Sequence, residues 1–195
     1  MINDLSKLIK NKYLYGSLIY SLEQFFINDD LLLSWKNDEN SVYEVAISCK
    51  IWTYIYSALL DSWFFKDEQY KEFNIDMEYN KMWMKKIDKE IPWIWKLCGN
   101  STNKIRPDIV IHKRLLWWSN NNLVIFEIKK KNLNSCDRKK LEELTKSSNE
   151  KFWYQYWIWL SNFNKKNESV DIDLCINWKF YEKGFIYKAL EITYK

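Results

Sequence analysis

The order of periodicities along the chain predicts an α/β or α+β fold, with a central mixed β-sheet and helices packed against it. Three observations carry this. The N-terminal third repeats apolar residues at helical spacing, the middle alternates them at strand spacing around a short polar loop, and more strand-like segments follow another helical stretch. The chain has 195 residues, enough to bury a substantial core, and shows no internal repeat, low-complexity linker or sharp change in composition. It therefore reads as one domain spanning residues 1–195.

Taken in order, Leu5, Leu8 and Ile9, then Leu18, Ile19, Leu22, Phe25 and Phe26, form an apolar stripe at three- and four-residue spacing. The polar break "KNDENS" ends at Ser41, an expected N-cap for a helix from about Val42 to Leu60 with Val45, Cys49, Trp52 and Tyr56 on its buried side. Glu44 falls in the first turns, where a helix dipole favours a carboxylate without any further role. In "FNIDMEYNK", Phe73, Ile75, Met77 and Tyr79 alternate with polar residues, as in a half-buried strand. Residues 82–95 carry Pro92 and several tryptophans and fit either a helical turn or an extended connection. "RPDIVIHKR" reads as a strand opened by proline, "LLWWSNNN" as a hairpin loop, and "LVIFEIKKK" as the returning strand. A short helix with Leu141 and Leu144 on one side follows, capped by Ser135 or Asp137. "FWYQYWIWLSNF" and "VDIDLCINWKFY" suit strands, and the type of "FIYKALEITY" stays open.

Composition narrows the function classes. A 47% hydrophobic and 29% charged chain is a folding composition, not a disordered one. The net charge of +4 permits a polyanionic partner without requiring one, and residues 129–146 concentrate lysine and arginine. Four cysteines without a CxxC pair and a single histidine argue against a structural zinc site. The first residues lack the apolar core of a signal peptide, and no aromatic stretch is long and uninterrupted enough to span a bilayer. The expectation is a cytoplasmic protein with reduced cysteines and no membrane partner.

One constellation can carry chemistry. Asp108, Val110 and His112 share one face of the first hairpin strand, and Glu127 and Lys129 share one face of the second. Antiparallel pairing places the start of the first beside the end of the second, which brings Asp108 next to Glu127 and Lys129. Two neighbouring carboxylates repel unless a cation lies between them, and oxygen ligands from adjacent strands suit a hard divalent ion such as Mg²⁺. An adjacent ammonium can then orient a water and offset charge on a phosphoryl group.

These residues resemble the PD-(D/E)xK nuclease superfamily: Pro107 and Asp108 match its PD half, and Glu127, Ile128 and Lys129 its ExK half. More loosely, "DMEYNK" and "KKLEELT" are similar to small uncharacterised bacterial members, and the resemblance covers roughly residues 41–161. It implies a restriction-endonuclease-like core, here with extra N-terminal helices and C-terminal strands, and Mg²⁺-dependent cleavage of DNA, with Mn²⁺ able to substitute. Asp108, Glu127 and the carbonyl of Ile128 would bind the metal, Lys129 would position or activate the attacking water, and Glu44 would assist from its helix. Lys130, Lys131, Lys139 and Lys140 would contact phosphates without reading sequence. Members often work as homodimers, although no residue here marks a dimer face. The competing expectation is a non-catalytic nucleic-acid-binding or protein-interaction module on the same fold, such as an accessory or inhibitory factor of a mobile element. His112, Gln155 and Tyr156 are read as packed or surface residues, and Trp153, Trp157 and Trp159 as core in preference to base-stacking platforms.

Overall fold

The computed structural model describes residues 3–33, 40–77, 81–82, 87–88, 107–113, 122–129, 154–177, 179–188 and 191–194. In chain order these form α1 (Asn3–Leu8), α2 (Lys12–Asn28), α3 (Asn40–Asp61), β1 (Phe73–Met77), β2 (Lys81–Met82), β3 (Ile87–Asp88), β4 (Ile109–Lys113), β5 (Asn122–Ile128), β6 (Tyr156–Asn164), β7 (Ser169–Ile176), β8 (Lys179–Lys188) and β9 (Glu191–Tyr194). Seven strands make one sheet in the order β1-β4-β5-β6-β7-β8-β9, and β2 and β3 pair separately. Each neighbouring pair of the large sheet is antiparallel except β5 and β6, which run parallel. The result is an α+β architecture with the expected mixed sheet. The open segment "FIYKALEITY" supplies the end of β8 and all of β9. The helix expected around Leu141 and Leu144, the expected hairpin loop with Trp117 and Trp118, Trp153, and Lys130, Lys131, Lys139 and Lys140 lie outside the described residues.

The described helices gather on one side of the sheet. Asn11 caps α2, its side-chain oxygen accepting from the N–H groups of Tyr13 (3.1 Å) and Leu14 (3.0 Å), which satisfies two donors the helix itself leaves open. From there Leu14, Leu18, Leu22 and Phe25 turn inward and are fully buried. The same apolar cluster takes Ile51, Ile55 and Leu59 from α3, Ile109 and Ile111 from β4, Val124, Phe126 and Ile128 from β5, and Ile158 and Leu160 from β6. Polar contacts fix α3 against the end of α2: Asp29 accepts from the Tyr54 hydroxyl and pairs with Lys50 at 3.0 Å. Burial and then the Asp29 carboxylate push the Tyr54 hydroxyl up to about 12, so it remains a donor. On the far side of the sheet, Val110, Ile125, Trp157, Trp159 and Cys175 are also buried. By strand alternation they point away from the helices.

The structure corrects the expected orientation of α3. Val45 and Tyr56 are exposed at 43% and 38%, Cys49 is exposed, and Trp52 is only partly covered. The inward stripe is instead Ile47, Ser48, Ile51, Ile55 and Leu59. Both stripes have helical spacing and both are apolar, so the pattern alone could not choose between them. Trp52 and Tyr56 stack on each other, ring centroids 5.5 Å apart, beside the edge strand β1. Ser41 falls inside the first turn rather than at the cap, since α3 begins at Asn40.

The two stripes predict different costs of truncation. Ile51→Ala, in the core, should destabilise the protein by about 2–5 kcal/mol in urea unfolding. Cys49→Ala, on the outer stripe, should stay within about 0.5 kcal/mol of the parent.

Candidate functional site

The antiparallel pairing of β4 and β5 sets Ile109 opposite Phe126, Val110 opposite Ile125 and Ile111 opposite Val124. Continued one step past Ile109, that register places Asp108 beside Glu127. The contact at this point is direct: Asp108 Oδ2 accepts a hydrogen bond of 2.7 Å from the backbone N–H of Ile128. One step further, Pro107 falls opposite Ile128 and, having no N–H, offers the Ile128 carbonyl no ladder bond. The "PD" dipeptide therefore ends the ladder in a particular way. A carboxylate takes the donor of Ile128, and a proline leaves its acceptor to other partners.

Lys129 stands one residue past β5 and is anchored by its own N–H, which donates to the Leu160 carbonyl of β6 at 2.9 Å. Its ammonium lies 3.2 Å from Glu127 Oε1 and 3.6 Å from Glu44 Oε2 of α3. These groups are mostly covered, with side-chain exposures of 29% for Lys129, 17% for Glu127 and 25% for Glu44. Burial by itself would lower the lysine's pKa; the carboxylates of Glu127, Asp108 and Glu44 outweigh it and hold the ammonium above the ordinary lysine range. At neutral pH this side chain is a cation that donates hydrogen bonds. It is not a base.

Asp108, Glu127, Lys129 and Glu44 thus come together from β4, β5 and α3, as the sequence expects. Ile128 sits between Glu127 and Lys129 and supplies backbone only, its side chain being part of the core. His112 lies elsewhere, its Nε2 2.9 Å from Asp76 Oδ2, and ties β4 to β1. Gln155 engages the backbone at the start of β6, and Tyr156 is buried opposite Val124, toward the other end of β5 from Glu127. Two neighbours escaped the sequence reading. Trp159 stands opposite Glu127, and Asp173, only 9% exposed, stands opposite Trp159. In "VDIDLCI" Asp173 shares its strand face with Asp171, so alternation alone marks that face as polar and not as buried beside the cluster.

A divalent cation would find oxygen donors here in Asp108, Glu127 and the Ile128 carbonyl, which is the ligand chemistry of Mg²⁺. In the present arrangement Lys129 neutralises that charge, and among the described residues no group of three His, Cys, Asp or Glu is set to hold a metal. A metal would therefore compete with the ammonium for Glu127. Fold and site together define an α+β protein whose mixed sheet ends a central strand in a lysine held among carboxylates. Comparison of the chain with family models, curated proteins and solved structures finds no match. Among the described residues no helix is long and apolar enough to cross a membrane.

The raised lysine sets a pH window. A group whose pKa is higher in the folded than in the unfolded state contributes stability that is fully present below the unfolded value, about 10.4 for lysine, and lost as pH rises through the folded one. Lys129→Met should therefore lower the melting temperature by a constant amount between about pH 6 and 9, and the difference from the parent should shrink above about pH 10.5. Thermal melts across that range measure it.

Proposed function

We propose that this protein is a metal-dependent nuclease of the PD-(D/E)xK type, hydrolysing phosphodiester bonds in DNA. The observation that carries the reading is the convergence of Asp108, Glu127 and Lys129 at one end of the β4–β5 pair, with Glu44 joining from α3. The order of elements supports it as well. A helix (α3) precedes an antiparallel meander (β1, β4, β5), and the next described strand (β6) lies parallel to β5, the sequence of parts in a restriction-endonuclease-like core. The small pair β2 and β3 is an insertion in that meander.

In this reading Asp108 and Glu127 hold Mg²⁺, or Mn²⁺ in its place, with the Ile128 carbonyl as a third protein ligand. The bound ion supplies Lewis acidity toward the phosphate and makes a coordinated water more acidic. The protein's residues do the positioning. Asp108 is held in place by the Ile128 N–H, so the two carboxylates keep their spacing when a cation arrives. Lys129, already protonated, donates a hydrogen bond to the attacking water or to a phosphate oxygen, and its charge offsets the negative charge that grows on the phosphorus centre. Glu44 steadies that ammonium from the helix side. Lys130, Lys131, Lys139 and Lys140 are proposed to follow the phosphate backbone.

The test is cleavage of supercoiled, linear and single-stranded DNA with Mg²⁺. The parent should cut, and Asp108→Ala or Lys129→Ala should lose activity by about 10² or more. Cleavage that survives either change would sink the assignment. Retained DNA affinity without Mg²⁺ binding in calorimetry would assign the chain to the non-catalytic module instead.

A further inference from the structure

The side of the sheet away from the helices carries a column of polar atoms that the proposed mechanism does not use. On β6 the residues Trp157, Trp159 and Ser161 share one face, opposite to the face of Ile158 and Leu160, which enter the helical core. They are exposed at only 3%, 1% and 1%. The indole nitrogens of both tryptophans and the hydroxyl of Ser161 are hidden from solvent and have no hydrogen-bond partner. Buried polar groups are almost always paired, so the two orphans nearest the lysine–carboxylate cluster, Trp159 and Ser161, call for an explanation.

The column runs beside the lysine–carboxylate cluster. Trp157 is opposite Ile125 and Trp159 is opposite Glu127, and the same register continued one step sets Ser161 beside Lys129. The chemistry of the missing partner follows from the donor types. An indole N–H can only donate, so it cannot ligate a cation, and a serine hydroxyl beside it can donate too. Neither Asp173, opposite Trp159, nor Asp171, opposite Ser161, accepts from them, so two donors next to an ammonium are left to suit an anionic oxygen that only accepts.

We propose that Trp159 and Ser161 are part of the substrate site: with Lys129 they donate to non-bridging oxygens of the DNA phosphate held by the cluster. This rests on the nuclease reading and deepens it, giving the phosphate a protein-made cradle on the β6 side while Asp108 and Glu127 face it from the β4 and β5 side. Because the donors are shielded, water does not compete for them. The phosphate gains access as Lys129, 29% exposed, turns from its carboxylates toward the incoming charge.

Ser161→Ala separates this role from a structural one. An unpaired hydroxyl stabilises nothing, so its removal should leave the melting temperature unchanged or raised. Affinity for a short fluorescein-labelled DNA duplex, read by anisotropy with Ca²⁺ in place of Mg²⁺ to hold back cleavage, should fall about tenfold. Trp159→Phe should weaken binding to a similar degree. Trp157→Phe, the same chemical change opposite Ile125, should leave affinity unchanged. If the parent cleaves DNA and both Ser161→Ala and Trp159→Phe bind as tightly as the parent, the cradle is wrong and the nuclease reading stands. A melting temperature several degrees lower for Ser161→Ala would show the hydroxyl holding a structural water and would also overturn the proposal. If the parent neither binds nor cleaves DNA, both readings fall together.

Discussion

The register between β4 and β5 is the constraint on which the site depends. Side chains alternate along a strand, so a slip of one residue would send Glu127 toward the helical core and Phe126 out of it. Three features prevent that slip. Val124, Phe126 and Ile128 are buried against α2 and α3, so their side of β5 cannot change without exposing the core. Ile125 is buried on the opposite side, so both faces of the strand are specified. The Asp108 carboxylate then locks the end of the pair through the Ile128 N–H. The residues that fix the fold are therefore interleaved with those that carry charge, and rigidity of the first gives position to the second.

That interleaving has an electrostatic consequence. Gathering Asp108, Glu127 and Glu44 at the partly covered end of a central strand would be costly if they faced only one another, and Lys129 relieves it. The backbone of the lysine is fixed by its bond to β6, and α3 presents Glu44 to its ammonium from the other side. Because α3 is held against α2 by Asp29, Tyr54 and Lys50, the charge balance of the cluster reaches back to the packing of two helices some distance from it.

How much of this was legible in the sequence follows from the range of each interaction. The β4–β5 pair and its ion cluster were readable because the partners lie about twenty positions apart on strands that pair antiparallel, and alternation then fixes which side chains meet. The inward face of α3 was not, because Val45, Cys49, Trp52 and Tyr56 compete with Ile47, Ile51, Ile55 and Leu59 as apolar stripes. The choice between them is made by the sheet the helix packs on, which lies far along the chain. Trp159 and Asp173 were missed for the same reason. Parallel pairing needs a crossover, so the neighbour of β5 is set by chain returning from a distance, and no local pattern announces that β6 will put Trp159 beside Glu127.

The state of Lys129 bears on the role it would take in the proposed hydrolysis. A general base should have a pKa near the working pH, so that it is largely unprotonated and still takes up a proton readily. Lys129 is displaced in the other direction, because burial favours the neutral amine but three carboxylates favour the ammonium more strongly. Bringing a divalent cation between Asp108 and Glu127 would shift the balance, since their negative charge would then be shared with the metal and the lysine would lose part of what keeps it protonated. The two cations are thus coupled through the same carboxylates. In the proposed nuclease reading, a bound metal would loosen Lys129 from Glu127 and weaken its hold on its proton, so that the ammonium would become free to address water or phosphate.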